Sequence, residues 1–160
     1  NFNNSDGWTV INHYEAANMN GIVTVENGVA TFSETTNTDW KHMGIYTQVT
    51  LEAGLYQFNM DMTYSGINDL WGEVYIGSSE PVQHEDYTGD QYVLKAYNAW
   101  DCGTIKTYSG KAVSSGCDPS ESPGIFEITT PGTYFLLFRT GGQTYGSDGI
   151  VIDNVSLIKL

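Results

Sequence analysis

Basic residues are scarce. The 160-residue chain carries six Lys and Arg against nineteen Asp and Glu, a formal charge of −13, and Arg139 is its sole arginine. A nucleic-acid binder replaces condensed counterions with a basic patch, so nucleic acid is disfavoured as a partner. Anionic lipid surfaces are disfavoured for the same reason. Strongly anionic polymers also fit poorly unless a metal bridges them, and a neutral partner suits this field best. The same acidity would also keep a secreted protein soluble, whatever it binds.

Long apolar runs are missing too. None approaches the roughly twenty residues that span a bilayer as a helix, so membrane insertion is not expected. The chain has no Gly-x-Ser-x-Gly, no HExxH and no phosphate loop. His13, His42 and His84 belong to no recognised motif and read as surface residues. Carboxylates abound, but none lies in the strongly apolar context that would mark a general acid; Asp61, between Met60 and Met62, comes nearest. No enzymatic activity is expected.

Cysteine is limited to Cys102 and Cys117, with fourteen residues between them. Neither belongs to a CxxC pair or has histidine at zinc-finger spacing, so a structural zinc is not expected. The segment between them is rich in Gly, Ser and Thr, as a stapled loop would be. A disulfide closing it would contribute roughly 3 kcal/mol in the chain-entropy model. It would also imply an oxidising compartment, secreted or at the cell surface. The alternative is two free thiols. The chain begins with Asn rather than Met, which reads as a processed piece whose signal peptide has gone.

The periodicity is that of strands. Tyr56, Phe58, Met60, Met62 and Tyr64 alternate with Gln57, Asn59, Asp61 and Thr63. Asn27-Gly28 between two β-rich runs, 22–25 and 29–32, predicts a hairpin with a type I′ turn. Further strands are expected over 43–51, 72–76, 124–128, 133–140 and 149–159. Residues 91–96 read equally well as strand or short helix. Two turns ending in Gly-x-Tyr, at Gly54 to Tyr56 and Gly132 to Tyr134, each launch a long strand and look like equivalent turns at one end of a sandwich. The pattern predicts an all-β fold, a β-sandwich jelly roll of two antiparallel sheets. It forms one domain over 1–160, with a long loop-rich insertion around 77–123.

What the sequence has in plenty is aromatic rings: four Trp, eleven Tyr and six Phe. Trp40, Trp71 and Trp100 stand among Asp, Asn, Glu and Lys. Rings in such settings suit sugars, whose C–H faces stack on them while hydroxyls meet polar neighbours. Ordinary core or rim aromatics would look the same one at a time. Alternation places Tyr46, Gln48, Asn59, Asp61, Glu73, Tyr75 and Arg139 on outward faces, where they would line a cleft for one glycan chain or form a plain solvated face. Trp40, Trp71, Tyr97 and Trp100 would wall its ends. Arg139 is expected to pair with Asp61 or Glu73, either to orient donors toward sugar hydroxyls or as a structural ion pair.

Three segments carry a resemblance. The opening Phe2-Asn3-(x)2-Asp6-Gly7-Trp8-Thr9-Val10, the middle Gln48-Val49-(x)4-Gly54-Leu55-Tyr56 and the closing Gly149-Ile150-Val151-Ile152-Asp153-Asn154-Val155-Ser156-Leu157 resemble β-jelly-roll carbohydrate-binding modules of families four, nine, sixteen and twenty-two. The resemblance implies a non-catalytic polysaccharide-binding module attached to a secreted catalytic domain, and the chain is expected to act as a monomer. It implies β-glucans such as laminarin or mixed-linkage glucan as ligands, then xylan, and Trp8 as a core anchor. It also implies a structural calcium joining the N-terminal segment to Asp153, with Asn3 standing where the family frequently has an acidic residue. Glu52, in the turn before the long strand, could supply the missing charge. The alternative is that Asp153 caps the strand end by hydrogen bonds. The competing expectation is a structural jelly-roll domain of a cell-surface or adhesive protein, without a sugar site.

Overall fold

The computed structural model describes residues 7–13, 21–36, 39–98, 106–112 and 124–160, with Tyr97 and Asn98 described in backbone only. Asn3, Trp100, Cys102 and Cys117 lie outside the described residues, and with them the cysteine pairing. Among the described residues there are eleven strands: β1 (Thr9–Asn12), β2 (Gly21–Glu26), β3 (Val29–Glu34), β4 (Lys41–Leu51), β5 (Gly54–Ser65), β6 (Asn68–Gly77), β7 (Gln91–Asn98), β8 (Thr107–Lys111), β9 (Ile125–Ile128), β10 (Gly132–Thr144) and β11 (Ile150–Lys159). They form two antiparallel sheets packed as a jelly-roll sandwich. One sheet runs β1-β4-β10-β6-β7; the other runs β2-β3-β11-β5-β8, with β9 also paired to β5.

Local chemistry sets much of this. Asn27 and Gly28 both take positive φ, 52° and 88°, as the type I′ turn between β2 and β3 requires. Along β5, Tyr56, Phe58, Met60, Met62 and Tyr64 are buried and the residues between them are not. That face meets Met43, Ile45, Val74, Ile76, Leu136 and Phe138 of the facing sheet and Phe32, Ile150 and Ile152 of its own. Each large apolar side chain buried there contributes about 1.5–3 kcal/mol. Trp8 packs against this core from one edge. The ambiguous 91–96 segment is strand because it completes the five-stranded sheet beside β6.

The two Gly-x-Tyr turns are equivalent corners at one end of the sandwich. Each carries the chain from one sheet to the other, β4 to β5 and β9 to β10. In each, the tyrosine hydroxyl donates to a carbonyl four residues back: Tyr56 to Glu52 at 3.0 Å and Tyr134 to Thr130 at 2.7 Å. Elsewhere, buried Lys41 donates to Glu34 at 2.7 Å and to the Gln143 carbonyl at 2.6 Å, and so ties β3 to the five-stranded sheet.

Candidate functional site

The outer face of the five-stranded sheet gathers most of the expected ligand-facing residues. Outward positions fall in register across its strands. Gly44, Arg139, Glu73 and Lys95 form one row, flanked on one side by Tyr46, Leu137, Tyr75 and Tyr92, and on the other by His42, Gly141 and Trp71.

Residues 78–90, joining β6 to β7, divide this face. Gly89, at φ +63°, packs so tightly on the end of β6 that a Cβ would lie 2.7 Å from the Ile76 carbonyl oxygen. Asp90 holds the base further, accepting from the Ser78 N–H at 2.6 Å. From there the loop crosses to the opposite edge of the sheet. Asn12 donates its N–H to the Gln83 side chain and accepts from the His84 N–H, while Gln83 also donates to the Val10 carbonyl. Beneath the loop lies a small apolar cluster of Ile11, Tyr46 and Leu137, with Tyr87 and Phe135 packed against it.

Tyr46 is therefore not an open stacking platform. It is 9% exposed, and its hydroxyl donates to Glu80 at 2.8 Å. Two other expectations need correction. Asn59 and Asp61 are outward on β5, and β5 belongs to the other sheet, so they line the opposite face of the molecule. There Asp61 lies opposite Asp153 and accepts from the Asn154 side chain at 2.7 Å. His13 and His42 are not surface residues: both are buried.

The open part of the face centres on Arg139, which is 8% exposed. Its guanidinium lies over the rings of Trp71, at 5.1 Å, and Tyr75, at 4.9 Å. Nε and Nη2 donate to Glu73 Oε2 at 3.1 and 3.0 Å, and Nη1 donates to Asp86 Oδ1. Glu73 was one of its two expected partners; Asp86, reached only because the loop folds over the sheet, was not foreseen. Burial alone would lower the pKa of Arg139, but Glu73 and Asp86 raise it above the ordinary value. For Asp86, partial burial works upward, and the Arg139 charge with the Tyr87 N–H brings it below the usual carboxylate value.

The half-buried Trp71 lies across Gly141, and the His42 ring meets it edge-on at 4.8 Å. Tyr75 packs on Tyr92 at 4.8 Å. Gln48 is exposed on β4, and Trp40, half-buried, immediately precedes that strand. The backbone of Tyr97 pairs with Gly72. His42 also packs on His13, ring centroids 4.4 Å apart and the rings tilted by 35°. Burial, reinforced by the charges of His13 and Arg139, pushes His42 down to about 3. Burial also lowers His13, against the pull of its bond to the Glu85 carbonyl.

Of the expected calcium ligands, Asn3 lies outside the described residues, and Asp153 and Glu52 do not converge. Glu52 is in the corner before Gly54, whereas Asp153 pairs with Asp61, seven residues along β5 from Gly54. At about 3.3 Å per residue that separation is roughly 20 Å or more. Asp153 and Glu52 therefore do not fit a shared ion.

Fold and face together define an all-β sandwich with an aromatic and charged sheet surface, half of it roofed by a loop. No protein-family model matches the sequence, and no curated protein does. Among solved structures, the chain is similar to TmCBM61, whose structure is in complex with β-1,4-galactotriose, at 12% identity and TM-score 0.45, over 97% of this chain and 90% of that one. It is also similar to a CBM4 structure, at 14% identity and TM-score 0.43, over 100% of both chains. A third is TmCBM27, a carbohydrate-binding module studied for specific mannan recognition, at 15% identity and TM-score 0.39, over 98% and 90%.

Proposed function

We propose that the chain is a non-catalytic carbohydrate-binding module, and that the outer face of its five-stranded sheet takes a single chain of neutral polysaccharide. The observation that carries this is the Arg139 stack. One guanidinium held by two carboxylates fixes Trp71 and Tyr75 on either side of it, partly exposed and surrounded by polar groups. Rings held in this way give a sugar apolar faces to stack on without ordering cost at binding. Carboxylate oxygens beside them accept from hydroxyls. In this reading Arg139, bonded to Glu73 and Asp86, holds the rings in place. The acidic field favours neutral glycans; the order within them, β-glucan first and then xylan, rests only on the resemblance to carbohydrate-binding modules. A module of this kind would work by raising the local concentration of an attached secreted enzyme at its substrate.

Affinity gel electrophoresis against soluble neutral and anionic polysaccharides tests this reading. Retardation by a neutral β-glycan, lost in Trp71→Ala and kept in Asn59→Ala, supports it. Retardation by anionic glycans alone would overturn the charge argument. No retardation by any member of the panel would favour the structural-domain reading instead.

A further inference from the structure

Beside the proposed glycan face lies a cluster that the binding reading does not use. His13 follows β1, His42 is on β4, and Asp86 comes from the loop that roofs the sheet. One donor atom from each lies within 4.8 Å of the other two. Three separate segments meet there, with the roofing loop held on β1 by the Asn12, Gln83 and His84 bonds.

The orientations of His13 and Asp86 are those of metal ligands. The Nδ1 of His13 is 2.9 Å from the Glu85 carbonyl, which can only accept, so Nδ1 carries the proton and Nε2 of the neutral ring holds the lone pair. That Nε2 is buried and has no hydrogen-bond partner among the described residues. Metal-bound histidines are commonly oriented in just this way, with the far ring nitrogen donating to a carbonyl. Asp86 is held through one oxygen: Arg139 Nη1 and the Tyr87 N–H both donate to Oδ1. Oδ2 takes part in neither bond. Arg139 is matched by Glu73 as well as Asp86, so its charge does not stand alone against a cation; Lys95 lies one strand beyond Glu73.

We propose that His13, His42 and Asp86 form a binding site for a borderline divalent cation of the zinc, nickel or copper(II) class. Two imidazole nitrogens and one carboxylate oxygen suit these ions, and disfavour calcium, which takes six to eight oxygen ligands. Zinc–nitrogen bonds of about 2.0–2.1 Å require the donors to draw together, and the exposed Asp86 side chain has room to move inward.

The test is isothermal titration of the intact chain with Zn²⁺ after EDTA treatment and its removal, repeated with Ni²⁺, with no glycan present. One Zn²⁺ per chain is expected, weakened on the order of tenfold or more in Asp86→Asn and in His42→Gln, and unchanged in His84→Gln. Should His42→Gln fail to fold, Asp86→Asn and the Co²⁺ absorption spectrum of the unmodified chain report the same site: a tetrahedral d–d band that Asp86→Asn removes. Absence of Zn²⁺ and Ni²⁺ binding would overturn the proposal. So would binding that Asp86→Asn leaves intact or that His84→Gln removes. Because the readout contains no sugar, it stands or falls apart from the glycan reading.

Discussion

The indole of Trp71 lies on Gly141, its cross-strand neighbour, so closely that a Cβ at Gly141 would fall 2.4 Å from Cζ2. Any side chain at this position must displace the ring. Gly141→Ala is therefore expected to shift tryptophan emission and weaken glycan binding on the order of tenfold, within the roughly 2 kcal/mol scale of an interface hot spot. Fluorescence titration with the retarding polysaccharide measures both effects in one experiment. Shifted emission with unchanged affinity would show that the ring has no part in binding; unchanged emission would contradict the forced displacement.

Arg139 and Glu73 are both largely buried, with side chains 9% and 18% exposed, whereas Asp86 is 68% exposed. Removing one member of a buried pair leaves the other charged and unmatched. Arg139→Ala is expected to cost about 3 kcal/mol in urea unfolding. Asp86→Asn, losing a solvent-screened contact, is expected to cost less than about 1 kcal/mol. Equal losses would contradict this division.

His13 and His42 have folded-state pKa values below the ordinary 6.5, His42 at about 3. Burial keeps both rings neutral in the native state, while in the unfolded chain they take up protons as pH falls through 6.5. Protons then bind preferentially to the unfolded state, so stability is full above about pH 6.5 and falls below it. Between pH 6 and 4.5 the slope approaches about 1.4 kcal/mol per pH unit for His42 alone. Arg139, Asp86 and the Glu85 carbonyl are the neighbouring groups that set these shifts. The carboxyl of Asp86, held below the usual carboxylate value, acts at lower pH. Urea unfolding at a series of pH values in EDTA should show this slope in the native chain and a shallower one in His42→Gln.

Tyr56 and Tyr134 close their two corners with the same bond, hydroxyl to the carbonyl four residues earlier. Tyr56→Phe and Tyr134→Phe are each expected to lower stability by about 1 kcal/mol. The corners share no partner, so the two losses should add in the double variant. Denaturant midpoints at constant m-value are the measurement.

Eight of the eleven described strands and their buried sides were legible from the residues alone; β1 and β8 were not foreseen, and β7 read equally well as helix. Period-two alternation along β5 and the Asn27-Gly28 turn are local properties, written by side-chain direction and backbone torsion. The Gly-x-Tyr echo was legible for the same reason. Alternation states which side of its own sheet a residue faces, but not which sheet the strand joins. Asn59 and Asp61 were therefore grouped with Glu73 and Arg139, although the jelly-roll crossing from β4 to β5 puts them on the opposite face. The partner Asp86 and the burial of Tyr46, His13 and His42 had no local signal at all. They arise because residues 78–90, polar and without periodicity, fold back over the sheet and dock on the edge of β1. Contacts between segments some seventy residues apart in sequence (Asn12 with Gln83, His13 with Glu85) are the product of chain closure and packing, and those the tertiary structure alone decided.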